Sequence, residues 1–157
     1  MVQDYVEKMY VPCIHRSREI IAGNYAFIRQ FSNWKQNLFR MWPQVRIIAD
    51  RDIHGLAGYS SRSGEEIMLG VTVQLGSLTP DDVRVEIYYG PANGDGITSG
   101  SAVPMRINRQ IDASTYEYRG QLRIDDGGEY AYSYRVVPNN PGLFNKTDLP
   151  LIRWTAN

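Results

Sequence analysis

DDGGEYAYSYRV, residues Asp125–Val136, is the stretch on which the reading of the fold turns. Gly127 and Gly128 supply a turn, after which Tyr130, Tyr132, Tyr134 and Val136 alternate with Glu129, Ala131, Ser133 and Arg135. A period of two marks a half-buried strand, because successive side chains of a strand point to opposite faces. The tyrosine-bearing register is therefore expected to face a core.

The same parity recurs on the N-terminal side. Val45, Ile47 and Ala49 alternate with Arg46, Ile48 and Asp50, and Ile67, Leu69, Val71, Val73 and Leu75 oppose Glu66, Met68, Gly70, Thr72 and Gln74. Val83, Val85, Ile87 and Tyr89 then oppose Arg84, Glu86 and Tyr88. Val103, Met105 and Ile107 follow, then Tyr116, Tyr118, Leu122 and Ile124, and Ile152 with Trp154 close the series. Seven short strands with turn signals between them predict an antiparallel sandwich. The spacing Asp126-x-Gly128-x-Tyr130-x-Tyr132 also resembles the F strand of immunoglobulin-like sandwiches. There the tyrosine is a corner residue whose hydroxyl bonds back to the preceding turn, and Tyr132 stands where a disulfide cysteine often would. The expected fold is mainly β: a seven-stranded immunoglobulin-like antiparallel sandwich preceded by an N-terminal helical segment.

That helical segment occupies residues 1–43, and the sandwich residues 44–157. Before Pro43 the apolar residues recur at helical spacing. Val2, Tyr5, Val6, Met9, Tyr10 and Cys13 form one stripe, which Pro12 ends or kinks. A second helical stretch runs to Ile21, with Gly23 and Asn24 as breakers. A third spans Tyr25 to Met41 and presents Phe27, Phe31, Trp34, Leu38 and Met41. So short a segment cannot close a bundle of its own, so these stripes are expected to lie on the β domain, a second copy of the chain, or a neighbour outside it. Residues 51–64, rich in Ser, Gly and Arg, read as a mobile loop.

Seventeen basic and seventeen acidic residues cancel, which gives no field for nucleic acid or an anionic membrane. Nothing approaches ~18 consecutive apolar residues, so no membrane span is expected. MVQDYVEKMY at the start is acidic and amphipathic, unlike a signal peptide. One cysteine, Cys13, excludes an internal disulfide and suits a reducing cytosol; a cytoplasmic location is expected.

No set of residues in the chain suffices for catalysis. Cys13, His15 and His54 do not supply three or four ligands at zinc spacing, and Cys13 belongs to the apolar stripe, where a buried structural thiol explains it. Glu65-Glu66, Asp81-Asp82 and Asp125-Asp126 border turns, which accounts for them without general acid–base work. GPANGDG and DDGG do not link a strand to a helix N-terminus, so phosphate binding is unsupported. No catalytic, cofactor-binding or metal residue is therefore assigned. Sugar binding would need exposed rings. Parity sends Tyr89, Tyr116, Tyr118, Tyr130, Tyr132, Tyr134 and Trp154 to the core and leaves Tyr88 as the outward-facing glycan-contact candidate.

Three segments resemble one family. MVQDYVEKMYVPC resembles the helix that closes the catalytic core of bacterial and archaeal α-glucan (glycogen/starch) phosphorylases. VTVQLGSLTPDDVRVEIYYGP resembles the start of the β domain appended to some of them, and GGEYAYSYRVVPNNPGLFNKTDLPLIRWTAN its end. Cys13 departs from the small residue expected after Pro12. The resemblance implies a parent that uses pyridoxal phosphate and inorganic phosphate to release glucose 1-phosphate from α-1,4-glucan, with the cofactor on a Schiff-base lysine. Lys8, Lys35 and Lys146 are the lysines here, and none lies in the family's cofactor-binding context. The expectation is thus a C-terminal piece without the active site and without cofactor, docked on the parent's catalytic lobes. The alternative reading is a carbohydrate-binding module for glycogen or starch, with α-glucan as its partner, and a second copy joined through the helical segment is the other partner considered.

Overall fold

Helix formers at 3.6-residue spacing give α1 (Ala26–Met41), the helix among the residues that the computed structural model describes: 25–48, 59–61, 64–93, 96–97, 99–125, 127–145 and 148–155. The two more N-terminal helical stretches expected from the sequence lie outside the described residues. Compactness divides the chain into Met1–Leu38 and Phe39–Asn157. Along α1 the expected stripe forms a ladder. The Phe27 and Phe31 rings stack at 6.2 Å and those of Phe31 and Trp34 at 5.5 Å, as i,i+4 and i,i+3 neighbours do on a helix. Leu38, next on the stripe, is fully buried. Pro43 sits in the short 3-10 turn Trp42–Gln44, where the α-helix stops.

Ten strands follow. In chain order they are β1 (Arg46–Ile48), β2 (Tyr59–Ser61), β3 (Glu65–Gln74), β4 (Val83–Asn93), β5 (Gly96–Ile97), β6 (Ser101–Pro104), β7 (Arg106–Gln110), β8 (Thr115–Ile124), β9 (Gly128–Pro138) and β10 (Arg153–Trp154). One antiparallel sheet runs β1-β3-β8-β7. The other is built on β10-β9-β4, with β2 also on β9 and with β5 and β6 also on β4.

Among the described residues the seven expected strands become ten, for two physical reasons. The 103–107 run is not one strand: Met105 is buried at a crossing where β6 leaves β4 and β7 joins β8, so the chain changes sheets there. And β2 and β5 are too short to show a period. β2 also falls inside the stretch expected to be loop, where Tyr59–Ser61 pairs with Gly128–Tyr130.

Core parity holds over the long strands. Val71, Val73 and Leu75 of the first sheet, and Val85, Ile87, Tyr134 and Val136 of the second, are all but inaccessible. The faces meet closely at Gly120, where an added Cβ would lie 2.9 Å from Ile87 Cδ1 and 3.0 Å from Met105 Cγ. The β3–β4 turn is held by Asp82, whose Oδ2 accepts from the Thr79 amide at 2.8 Å and the Thr79 hydroxyl at 2.7 Å, a capping box. Turn chemistry was the role expected of that acidic pair. The Gln44 Oε1 accepts from the Ser77 amide at 3.1 Å and ties the same turn to the segment before β1.

Tyr118 on β8 is 4% exposed and its hydroxyl has no hydrogen-bond partner among the described residues. Burial pushes its phenol up to about 12, with smaller contributions from Tyr116 and Asp81. Between the ordinary value of 10.0 and that raised value the unfolded chain has lost the proton while the folded one keeps it, so stability present below pH 10 is lost as pH rises toward 12. Tyr118→Phe is expected to flatten this alkaline loss in unfolding midpoints followed from pH 9 to 12. An unchanged slope would place the titration elsewhere.

Candidate functional site

The outer face of the second sheet carries its densest cluster of polar and aromatic side chains. Strand register builds it: Trp154 lies opposite Arg135, and Arg135 opposite Glu86, so one row across β10, β9 and β4 puts all three on one face. Tyr88 is two residues along from Glu86 and shares that face. Glu86 is 0% exposed. Its Oε2 accepts from Arg135 Nε at 2.9 Å and Nη2 at 2.8 Å, and the Arg135 side chain is itself only 17% exposed. The guanidinium carbon stands 4.9 Å from the centre of the Tyr88 ring and 5.6 Å from that of Trp154. Those two rings meet edge to face at 5.3 Å.

Arg135 makes both contacts to Glu86, and its guanidinium stands beside two rings. The cluster's chemistry is that of a buried ion pair. Sequence parity expected Glu86 and Arg135 on a solvated face; instead Glu86, Ala131 and Val137 are all buried on it. Trp154 is a second correction. It was expected in the core, but β10 is two residues long, and its register with Arg135 turns the ring to the outer face, 41% exposed.

Tyr88, the glycan candidate, is half-buried. Trp154 meets it edge to face, and a Cβ on Gly100 would fall 2.0 Å from its Cζ, so a side chain at Gly100 would have to displace the ring. The perpendicular pair is not a flat platform. Tyr130, expected as a corner residue, has no hydrogen-bond partner for its hydroxyl among the described residues. It lines a cleft of about 200 Å³ with Tyr89, Pro91, Arg123 and Asp125.

A larger opening of about 560 Å³ lies at the far end of β4 and β9, lined by Arg84, Pro138, Asn139, Asn140, Leu143, Phe144 and Asn145. Strand parity cannot reach this segment, which follows β9 as a loop. Its sequence signal is an aromatic set among turn residues, NNPGLFN.

Cys13, His15 and His54 lie outside the described residues. Among the described residues no three His, Cys, Asp or Glu side chains could hold a metal ion together. Glu117 illustrates where the acids go instead. Desolvation raises its carboxyl, but hydrogen bonds from Arg109 and Arg119 outweigh that and leave it below the usual range. Lys35, the lysine within the described residues, is exposed on α1 and does not fit the enclosed Schiff-base position that pyridoxal phosphate requires. No helix among the described residues is long and apolar enough to cross a membrane.

Fold and site together define a mainly β domain with a buried ion pair on the outer face of its second sheet. Residues 42–156 match the family described as the glycogen phosphorylase C-terminal domain, and the chain belongs to that family. It is 29% identical over 160 residues to a maltodextrin phosphorylase of Thermococcus litoralis, and 28% identical over 153 residues to a glycogen phosphorylase of Mycobacterium tuberculosis. These matches take in 98% and 97% of this chain but only 18% of each relative, so the chain spans under a fifth of their length.

Proposed function

We propose that this chain is the non-catalytic C-terminal region of an α-glucan phosphorylase and serves structure, docking or assembly rather than chemistry. The observation that carries this is the mismatch of coverage: nearly all of this chain aligns to relatives in which it is 18% of the length. Phosphorolysis of α-1,4-glucan to glucose 1-phosphate, with pyridoxal phosphate, then belongs to the remaining four-fifths of such an enzyme, in the cytoplasm. The family match begins at residue 42, which supports a boundary near Pro43 between a helical segment and the β domain. The catalytic lobes are the partner assigned to that helical segment, with pairing of two copies as the alternative.

An immunoglobulin-like arrangement is the finer reading of the fold. With β1, β3, β8 and β7 as strands A, B, E and D, and β10, β9 and β4 as G, F and C, the strand orders correspond to the constant-type sandwich. β6 is then an added strand beside C, and β2 and β5 are short additions.

Removing the region equivalent to residues 42–156 from the Thermococcus litoralis relative tests the role. The expected result is an unchanged kcat with a lower unfolding temperature or a smaller assembly. A folded, cofactor-loaded core that has lost the chemical step would overturn it.

A further inference from the structure

We propose that the outer face of the first sheet, around Gly70, Arg106 and Arg119, is a docking surface for an acidic segment of a partner polypeptide. The inference rests on the docking role proposed above, and gives that role a place on the β domain and a partner chemistry.

Strand register builds the face. Arg119 of β8 lies between Gly70 of β3 and Arg106 of β7, so these three form one row. The neighbouring row reads Ile48, Thr72, Glu117 and Arg109 across β1, β3, β8 and β7. Met68, two residues from Gly70, shares the face in the row on the other side. Three guanidinium groups thus gather about one carboxylate, and that carboxylate is committed. Glu117 Oε1 accepts from Arg119 Nε and Asn108 Nδ2, both at 3.0 Å, and its Oε2 accepts from Arg109 Nε. Among the described residues the Arg106 side chain has no hydrogen bond or ion pair, and the terminal nitrogens of Arg109 and Arg119 make no hydrogen bond. The Arg109 and Arg119 side chains are 69% and 58% exposed.

Two features of this face work against the stability of the domain by itself. Arg106 stands directly opposite Arg119, and like charges so placed destabilise a strand pair. Gly70 sits in the middle of β3, where glycine weakens a strand, yet packing does not require it. Among the described residues an added Cβ would meet nothing closer than the Tyr118 carbonyl oxygen at 3.7 Å and Arg119 Cγ at 3.9 Å. A strand glycine that its neighbours do not need marks a place where another chain comes close. The unbalanced guanidinium groups beside it call for carboxylates, which arginine binds through paired N–H groups. Met68 and Ile48, 66% and 47% exposed on the same face, suit a protein partner rather than a nucleic acid. A second copy fits poorly, because a two-fold pairing of this face sets arginine against arginine.

Fluorescence anisotropy of a labelled peptide repeating Glu-Leu-Glu-Ser, titrated with the 157-residue chain, tests the surface. Saturable binding that weakens as salt is added is the expected result. Arg106→Glu should weaken it about tenfold or more, yet hold or raise the unfolding midpoint, because a repulsive pair becomes an attractive one. Gly70→Val should also weaken binding about tenfold or more by filling the gap beside Arg119, with no loss of stability. The same change of charge at Arg84, on the second sheet, should leave binding within about twofold. Absence of saturable binding by the wild-type chain would overturn the proposal, as would binding that either Arg106→Glu or Gly70→Val retains in full. Equal binding of a peptide repeating Lys-Leu-Lys-Ser, or of a single-stranded oligonucleotide, would overturn it too. Truncation of the relative is a separate measurement, so this face can fail while the structural role stands, and the reverse.

Discussion

Glu86→Ala is expected to cost the β domain about 3–5 kcal/mol, and Arg135→Ala at least as much. Arg135→Ala takes the guanidinium from a fully buried carboxylate, and Glu86→Ala takes the carboxylate from a guanidinium whose side chain is only 17% exposed. Arg135→Ala also removes the guanidinium beside the Tyr88 and Trp154 rings, forfeiting two cation–π contacts of roughly 0.5–1 kcal/mol each. Domains of this size are stable by only about 5–15 kcal/mol, so either variant should sit near the edge of folding at 37 °C. The comparison that isolates the cause is Arg123→Ala. Arg123 pairs with Asp125 at the same 2.9 Å, yet the two side chains are 64% and 76% exposed, so its loss should fall within about 0–1 kcal/mol. Distance is matched between the pairs and burial is not. Replacing both Glu86 and Arg135 by Leu and Met should recover most of the loss, because desolvating two charges offsets much of what the pair gives back. Urea midpoints for the four variants decide it. If Glu86→Ala and Arg123→Ala unfold together, burial of the pair is not what stabilises this face.

That ion pair also marks the limit of what the sequence made legible. Alternation is a local property of each strand, so the core registers of β3, β4, β8 and β9 could be read residue by residue, and the antiparallel, mainly β class followed from them. Which residue stands opposite which is a non-local property. Nothing in one sequence says that Glu86 and Arg135, 49 positions apart, share a row, and without that the outer face reads as solvated. The same blindness misplaced Trp154, because a two-residue strand has no period to extend. β2 escaped notice because Tyr59–Ser61 is surrounded by Gly, Ser and Arg, where turn composition outweighs three residues of pairing. The cleft at residues 139–145 is a loop feature, and loops are shaped by individual hydrogen bonds such as those of Asp148 and Asn140 that no periodicity announces. The family, by contrast, was legible because it rests on three segments in order rather than on local physics.

Ile87→Ala, at the meeting of the two sheets, is expected to cost about 2–5 kcal/mol as a buried branched side chain is deleted from a fully enclosed site. Gly120→Val is expected to cost about 1–3 kcal/mol for the opposite reason. An added Cβ would already press on Ile87 Cδ1 at 2.9 Å and on Met105 Cγ at 3.0 Å, and valine adds two methyls beyond it. Backbone strain does not enter, because Gly120 lies within β8, opposite Leu69, and its φ is not among the positive values of the chain. β-Branched residues are moreover favoured in strands, so contact is the only cost. The two changes therefore act on one volume from opposite sides. In the double variant the valine methyls occupy the space that the missing isoleucine leaves, so the pair should fall short of the sum of the singles by about 0.5–3 kcal/mol. The same cycle run with Ile87→Ala and Gly76→Ala has no shared volume. The positive φ of +64° at Gly76 and its close neighbour Gln44 make that glycine change costly by itself, so its effect should simply add to that of Ile87→Ala. Additivity within about 0.5 kcal/mol for Ile87 and Gly120 as well would mean that the sheets do not meet at this point.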